Sequence, residues 1–171
     1  RIENLIVGGN QERGKRGGTL NVPGIAGFGK AVEIAVRDMT INQQKLRSER
    51  DYFIRSVQEK LDFTHINGHP QQKVNGILNM SFEMVDNESL LMLLDMEGVA
   101  VSIGSACTSG SAEPSHVLKA MGLDDDIIKS SIRISFGKNT SRNDIDYAVE
   151  VLTKSVGQLR SISAVTKAGR K

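Results

Sequence analysis

Cys107 is the only cysteine in the 171 residues, and its neighbours are the small residues Gly104, Ser105, Ala106, Thr108, Ser109 and Gly110. A thiol in such a segment is expected to be exposed and able to move, whereas structural cysteines more often sit among bulky apolar neighbours. No general base lies beside it in sequence, so composition alone leaves an inert loop thiol and a reactive one both open. A lone cysteine excludes an internal disulfide and a metal site built from several cysteines of this chain, and it fits a reducing compartment. His65, His69 and His116 are the only histidines. His65 and His69 are four apart on a segment that reads as strand and loop, so no metal site is expected there. Arg133 on its own reads as an exposed strand arginine or one half of a structural ion pair. Gly17-Gly18-Thr19 on its own reads as a turn, and Arg13 and Arg16 beside it as a solvated charge cluster.

The elements that must position these residues follow from periodicity. Leu5 to Val7 reads as a strand end stopped by Gly8-Gly9, and residues 8–18 as a glycine-rich loop able to take unusual backbone angles. Pro23 suits the first turn of a helix over about 23–61, with a break or kink near 38–41. Phe63 to Ile66 and Ile77 to Glu83 read as strands, and Asn87 as the cap of a leucine-rich helix ending at Gly98. Val99 to Ser102 reads as a short strand, 103–113 as the cysteine loop, and Pro114 as the start of a helix ending at Gly122. Ser131 to Phe136 alternates as a half-buried strand. Ser141 with Asp144 three residues on resembles the start of a last helix, whose apolar face runs from Ile145 to Leu159. The methionines at 80, 84, 92, 96 and 121 read as core filler. Several strands and about four helices make a small α/β sandwich. Net charge is +2, with 39% hydrophobic and 25% charged residues, so nothing points to nucleic acid or an anionic membrane as partner. No apolar run approaches the roughly 20 residues needed to span a bilayer.

Four segments, in order, carry a family resemblance. Residues 102–118, Ser-Ile-Gly-Ser-Ala-Cys-Thr-Ser-Gly-Ser-Ala-Glu-Pro-Ser-His-Val-Leu, resemble the active-site loop of cysteine desulfurases of the NifS/IscS type. Residues 8–21, Gly-Gly-Asn-Gln-Glu-Arg-Gly-Lys-Arg-Gly-Gly-Thr-Leu-Asn, are similar to that family's Gly-Gly-x-Gln/His-Glu-x-Gly-x-Arg-x-Gly-Thr segment. Residues 130–137, Ser-Ser-Ile-Arg-Ile-Ser-Phe-Gly, resemble its Ser-Ile-Arg-x-Ser strand, and Asp144-Ile145-Asp146 leads a helix like its C-terminal one. The resemblance implies the small C-terminal α/β domain of a fold-type I pyridoxal-phosphate-dependent transferase. Residues 1–22 would end the large cofactor domain, 23–160 would supply the linking helix and small domain, and 161–171 a flexible tail. It further implies that Cys107 takes sulfur from L-cysteine as a persulfide while L-alanine leaves, that Thr19 hydrogen-bonds the cofactor phosphate of a partner subunit, and that Arg133 binds the substrate carboxylate. Arg13 and Arg16 would structure the glycine loop or line the site entrance. The implied partners are a second copy, as a homodimer, and an iron–sulfur scaffold protein or other sulfur acceptor. The implied location is the cytoplasm, or an organellar matrix.

The departure from the family is an absence. The Schiff-base lysine of a Ser-x-His-Lys segment, and the histidine and aspartate that hold the cofactor ring, have no counterparts among the 171 residues. Together with a start at Arg1 that runs straight into Ile2–Val7, this predicts the C-terminal portion of a longer enzyme, inactive by itself and binding pyridoxal phosphate weakly or not at all. Two other readings stand beside it. One is a related pyridoxal-phosphate lyase or aminotransferase, against which the Ser-Ala-Cys-Thr-Ser loop argues. The other is a cofactor-free persulfide carrier or scaffold-binding module.

Overall fold

The computed structural model describes residues 3–104 and 115–168, with side chains as far as residue 163; Cys107 and the cysteine loop from 105 onward therefore lie outside the described residues. The chain divides into two compact units, Arg1–Ile41 and Asn42–Lys171.

In the first unit, a single turn α1 (Gln11–Gly14) puts three successive residues, Glu12, Arg13 and Gly14, at φ of 51°, 57° and 71°. Left-handed angles cost L-residues about 1–2 kcal/mol each, and Asn4 Nδ2 helps to hold the turn by donating to the Gly14 carbonyl at 2.5 Å. Helix α2 (Val22–Gln58) opens on Asn21, whose side-chain oxygen accepts from Gly24 N–H at 3.1 Å. That bond satisfies one of the donors a helix start leaves unpaired, with Pro23 in the first turn as expected. The expected break at 38–41 does not occur; Arg37 to Ile41 contains neither proline nor glycine to cause one.

The second unit holds a three-stranded antiparallel sheet in the order β1 (Thr64–Asn67), β2 (Ile77–Phe82), β3 (Ser131–Ser135). Alternation sends Leu78, Met80 and Phe82 of β2 and Ile132 and Ile134 of β3 into the core. There they meet Phe53, Ile54 and Val57 of α2, Leu90 and Leu94 of α3 (Asn87–Met96), and Ile145, Val149, Leu152 and Val156 of α6 (Arg142–Ala168). Phe53 and Phe136 pack edge to face, centroids 5.6 Å apart. Two short helices, α4 (His116–Ala120) and α5 (Asp125–Lys129), precede β3. No helix among the described residues is long and apolar enough to cross a membrane.

Several local expectations change. Asp86, not Asn87, caps α3: its carboxylate accepts from Ser89 N–H at 2.8 Å, while Asn87 Nδ2 donates to the carbonyls of Ile128 and Ser131. The strand expected at Val99–Ser102 is reduced to one bridge at Ser102, and Leu5–Val7, expected as a strand end, pairs with no strand among the described residues. Helix α6 runs past Leu159 to Ala168. Of the five methionines read as core, only Met80 is buried; Met84, Met92, Met96 and Met121 are exposed.

Candidate functional site

The alternation that buries Met80 and Ile132 places a polar set on the opposite face of the sheet. Cross-strand register pairs Asn67 with Asn79, Asn79 with Arg133, His65 with Ser81, and Ser81 with Ser131. Ser102 joins from beyond β3: its N–H donates to the Arg133 carbonyl at 3.0 Å, and Arg133 N–H donates to the Ser102 carbonyl at 2.7 Å. Residues that exchange both bonds across an antiparallel pair lie directly opposite, with side chains on one face. A row Asn67, Asn79, Arg133, Ser102 thus crosses the sheet, all four half-buried.

The neighbouring row is closed. Ser81 and Ser131 are fully buried, and their hydroxyls donate to the carbonyls of Ile127 at 3.0 Å and Ile128 at 2.8 Å in α5. At the edge of that row His65 pairs with the Glu83 carboxylate. The Arg133 row has no such cover from α5. The other partly or fully buried arginines of this unit are answered, Arg50 by Asp51 at 2.8 Å and Asn75 at 3.2 Å and Arg160 by the carbonyls of Asp62, Phe63 and Glu83, and even the exposed Arg142 meets Glu49 at 3.4 Å and the Tyr52 ring at 3.7 Å. Desolvation lowers the Arg160 guanidinium pKa, with Glu83 and Asp62 opposing. The Arg133 guanidinium has no ion pair or hydrogen bond among the described residues. A half-buried cation without a counter-charge loses hydration without compensation, and a carboxylate that takes two of its N–H groups restores the balance.

Ser102 also leads into the cysteine loop. Ile103 packs against the core cluster, Gly104 follows at φ 63°, and Cys107 comes next in the stretch outside the described residues. On the far side the chain resumes at buried Ser115, whose carbonyl accepts from Lys119 N–H, and at Leu118, buried in α4. Both ends of the loop are therefore tied to the unit that carries Arg133. His116 is exposed at the start of α4.

Thr19 belongs to the first unit, in a loop built on a close backbone approach. Gly17 N–H donates to the Ile6 carbonyl at 2.9 Å, and a Cβ on Gly17 would stand 2.7 Å from Gly8 Cα, so only glycine fits. Gly18 takes φ 92°. Arg16 donates to the carbonyls of Gly18 and Thr19, each at 3.2 Å, which ties down the acceptors on either side of the Thr19 amide. The Thr19 hydroxyl is exposed and has no hydrogen bond among the described residues. A hydroxyl beside glycine amides, two residues before a helix cap, is a donor set that fits a phosphate. Arg13 lies in the left-handed turn α1 and is exposed.

A cavity of about 380 Å³ lies elsewhere, against the core-facing Ile132 and Ile134 and bordered by Val99, Val101, Tyr147 and Ala148; Arg133 does not line it. Among the described residues no group of three or more His, Cys, Asp or Glu could hold a metal ion. Sequence reasoning passed over Asn67, Asn79 and Ser102. The signal for Asn79 is present: in Ile77–Phe82 the apolar positions alternate with Asn79 and Ser81, which assigns those two to the face away from the core.

The aminotransferase class-V family profile matches residues 6–148. A curated relative named "Cysteine desulfurase IscS" from Dictyoglomus turgidum is 44% identical over 163 residues, covering 95% of this chain and 41% of that protein. The protein of the same name from Shewanella loihica is 47% identical, with 95% of this chain and 40% of that protein covered. Among solved structures, one described as a NifS-like protein superposes with TM-score 0.75 at 32% identity, over 91% of this chain and 39% of that one. A NifS-like protein from Rickettsia africae gives 0.73 at 27%, over 91% and 40%. The chain thus spans about 40% of the length of the curated relatives it matches.

Proposed function

The chain belongs to the aminotransferase class-V family, and from that premise we propose that it is the sulfur-accepting part of a pyridoxal-phosphate-dependent cysteine desulfurase. Arg133 anchors the carboxylate of L-cysteine, Cys107 accepts its sulfur, and Thr19 donates to the cofactor phosphate of a second copy. The large cofactor domain ends near residue 22, and residues 23–160 form the linking helix and small domain. When bound, pyridoxal phosphate supplies an electron sink that lets the carbon–sulfur bond of L-cysteine break. The Cys107 thiolate attacks the substrate sulfur, a sulfur–sulfur bond forms on Cys107, and the carbon side, once protonated, leaves as L-alanine. The persulfide then passes to an iron–sulfur scaffold protein or another thiol acceptor, in the cytoplasm or an organellar matrix.

What supports this reading most is Arg133, half-buried and with a guanidinium that has no partner among the described residues, whose backbone bonds Ser102, five residues before Cys107. Five residues of chain extend no further than roughly 17 Å, so sequence alone tethers Cys107 to the strand partner of Arg133. The 171 residues contain no His-Lys pair, so the Schiff-base lysine belongs to another part of the full-length protein, and the isolated chain does not form alanine.

The test uses the full-length protein. Cys107→Ser abolishes alanine formation from L-cysteine while cofactor absorbance is unchanged. Arg133→Gln raises KM for L-cysteine about tenfold or more, as expected when a charged hydrogen-bond pair is lost. Full alanine turnover in Cys107→Ser refutes the proposal.

A further inference from the structure

The polarity of the row beside Arg133 is set by a backbone carbonyl four groups away. The Ile127 carbonyl can only accept, so Ser81 Oγ donates its one proton there, at 3.0 Å. Ser81 Oγ must then accept from the side chain that approaches it, which makes that atom Asn67 Nδ2, at 2.7 Å. The same Nδ2 donates its other proton to Asn79 Oδ1 at 2.6 Å. Asn79 Oδ1 is thereby turned toward β1, and its amide Nδ2 is left on the side of β3. In register across β3 stands Arg133, with Cβ atoms of such a pair about 4.5–5.5 Å apart. The Asn79 Nδ2 donates to no group among the described residues, and neither does the Arg133 guanidinium.

Two side-by-side donor groups, one of them charged and both half-buried, thus find no acceptor among the described residues. We propose that Asn79 is a second donor for the carboxylate held by Arg133, a substrate-binding residue whose amide is oriented by Asn67 through Ser81 and the Ile127 carbonyl. The inference rests on the reading of Arg133 as the carboxylate anchor. A carboxylate offers about four lone-pair sites; Arg133 fills two and Asn79 a third. An aspartate at this position would have the same shape but would neutralise Arg133 and compete with the ligand. An amide adds a donor without that competition, so the pair selects an amino acid with a free carboxylate over its amide.

The experiment is a side-chain NMR titration of the full-length protein with L-alanine, and in parallel with L-alaninamide, which lacks the carboxylate. The Asn79 NH₂ pair and the Arg133 Nε–H are expected to shift together with L-alanine and to stay put with L-alaninamide. Asn79→Ala is expected to weaken L-alanine binding about tenfold, the loss of one hydrogen bond to a charged group. Asn79→Asp is expected to weaken it at least as much at neutral pH and to recover as the new carboxyl protonates. Asn67→Ala, which frees the Asn79 amide to turn over, is expected to give a smaller loss. If Asn79→Ala retains full affinity while Arg133→Gln loses it, Asn79 is no donor and the Arg133 reading stands. If Arg133→Gln binds as the wild type does, or the wild type shows no shift at either side chain, both readings fall. Should Asn79→Ala lose its backbone dispersion, the wild-type Asn79 NH₂ response and the Asn67→Ala affinity decide the matter.

Discussion

Arg133 and Gly17 show two ways in which a single residue shapes a site. Arg133 acts through what it lacks among the described residues, a counter-charge, on a unit that supplies partners to Arg50, Arg142 and Arg160. Gly17 acts through what it does not carry. Its missing Cβ lets the Ile6–Gly8 segment approach, with Gly8 Cα and N at 2.7 and 2.8 Å from where that atom would be. Both contacts are backbone, so neither can rotate away. Gly17→Ala is therefore expected to destabilise the Thr19 loop by about 1–3 kcal/mol, the usual cost of forced overpacking. Hydrogen exchange at the Gly17 amide, bonded to the Ile6 carbonyl, reads this directly; unchanged exchange would mean that the close approach is not what holds the loop.

Helix α6 and strand β3 carry the next level. Helix α6 begins with a reciprocal pair: Asp144 Oδ2 accepts from Ser141 N–H at 2.8 Å, and Ser141 Oγ accepts from Asp144 N–H at 3.2 Å. The bond from the Ser141 amide, then the one from its hydroxyl, lowers the Asp144 carboxyl pKa. A carboxyl lowered in the folded state stabilises it fully above the unfolded value, and that contribution is lost as pH falls through the folded value. The first turn of α6 is thus expected to open on acidification below the ordinary carboxylate range, seen as faster exchange of the Ser141 amide. Asp144→Asn should remove that dependence; a variant with the same acid response would contradict the assignment. In β3, Ile132 is fully buried on the face opposite Arg133. Ile132→Ala is expected to cost about 2–5 kcal/mol in chemical denaturation and to lose the Arg133 row with the strand.

These elements were unequally legible. The long helix, the three strands and the Ser141–Asp144 start could be read because each has a local period or a fixed spacing. Helix α5 could not: five residues, Asp125–Lys129, are too few to show one, yet its carbonyls close the Ser81 and Ser131 row. The pairing of Asn79 with Arg133 was hidden for a different reason. Each strand states which of its residues face the core, but register between segments far apart in sequence is settled by packing and not by either segment alone. The cap of α3 moved by one residue because Asp86 and Asn87 are both good caps. Only the fold shows that Asn87 is committed to the carbonyls of Ile128 and Ser131.

For the whole molecule, the relevant quantity in the proposed reading is what the chain leaves to other parts of a longer protein. It covers about 40% of its curated relatives, and in its first unit Ile25, Phe28, Val36, Met39 and Ile41 stand exposed. In the proposed reading the rest of the full-length protein covers such apolar residues, since soluble proteins rarely leave large apolar patches open. The purified chain mixed with pyridoxal phosphate is expected to show no visible band of lysine-bound cofactor and to form no alanine from L-cysteine. A band with turnover would mean that the chain completes the cofactor site by itself.

The central claim, that Cys107 is a sulfur acceptor, is tested most directly by intact-mass spectrometry of the chain after exposure to a small-molecule persulfide donor. The wild-type chain should gain about 32 Da, one sulfur, reversibly with reductant, and Cys107→Ser should gain nothing. A wild-type chain that gains no mass, or a gain that persists in Cys107→Ser, would contradict it.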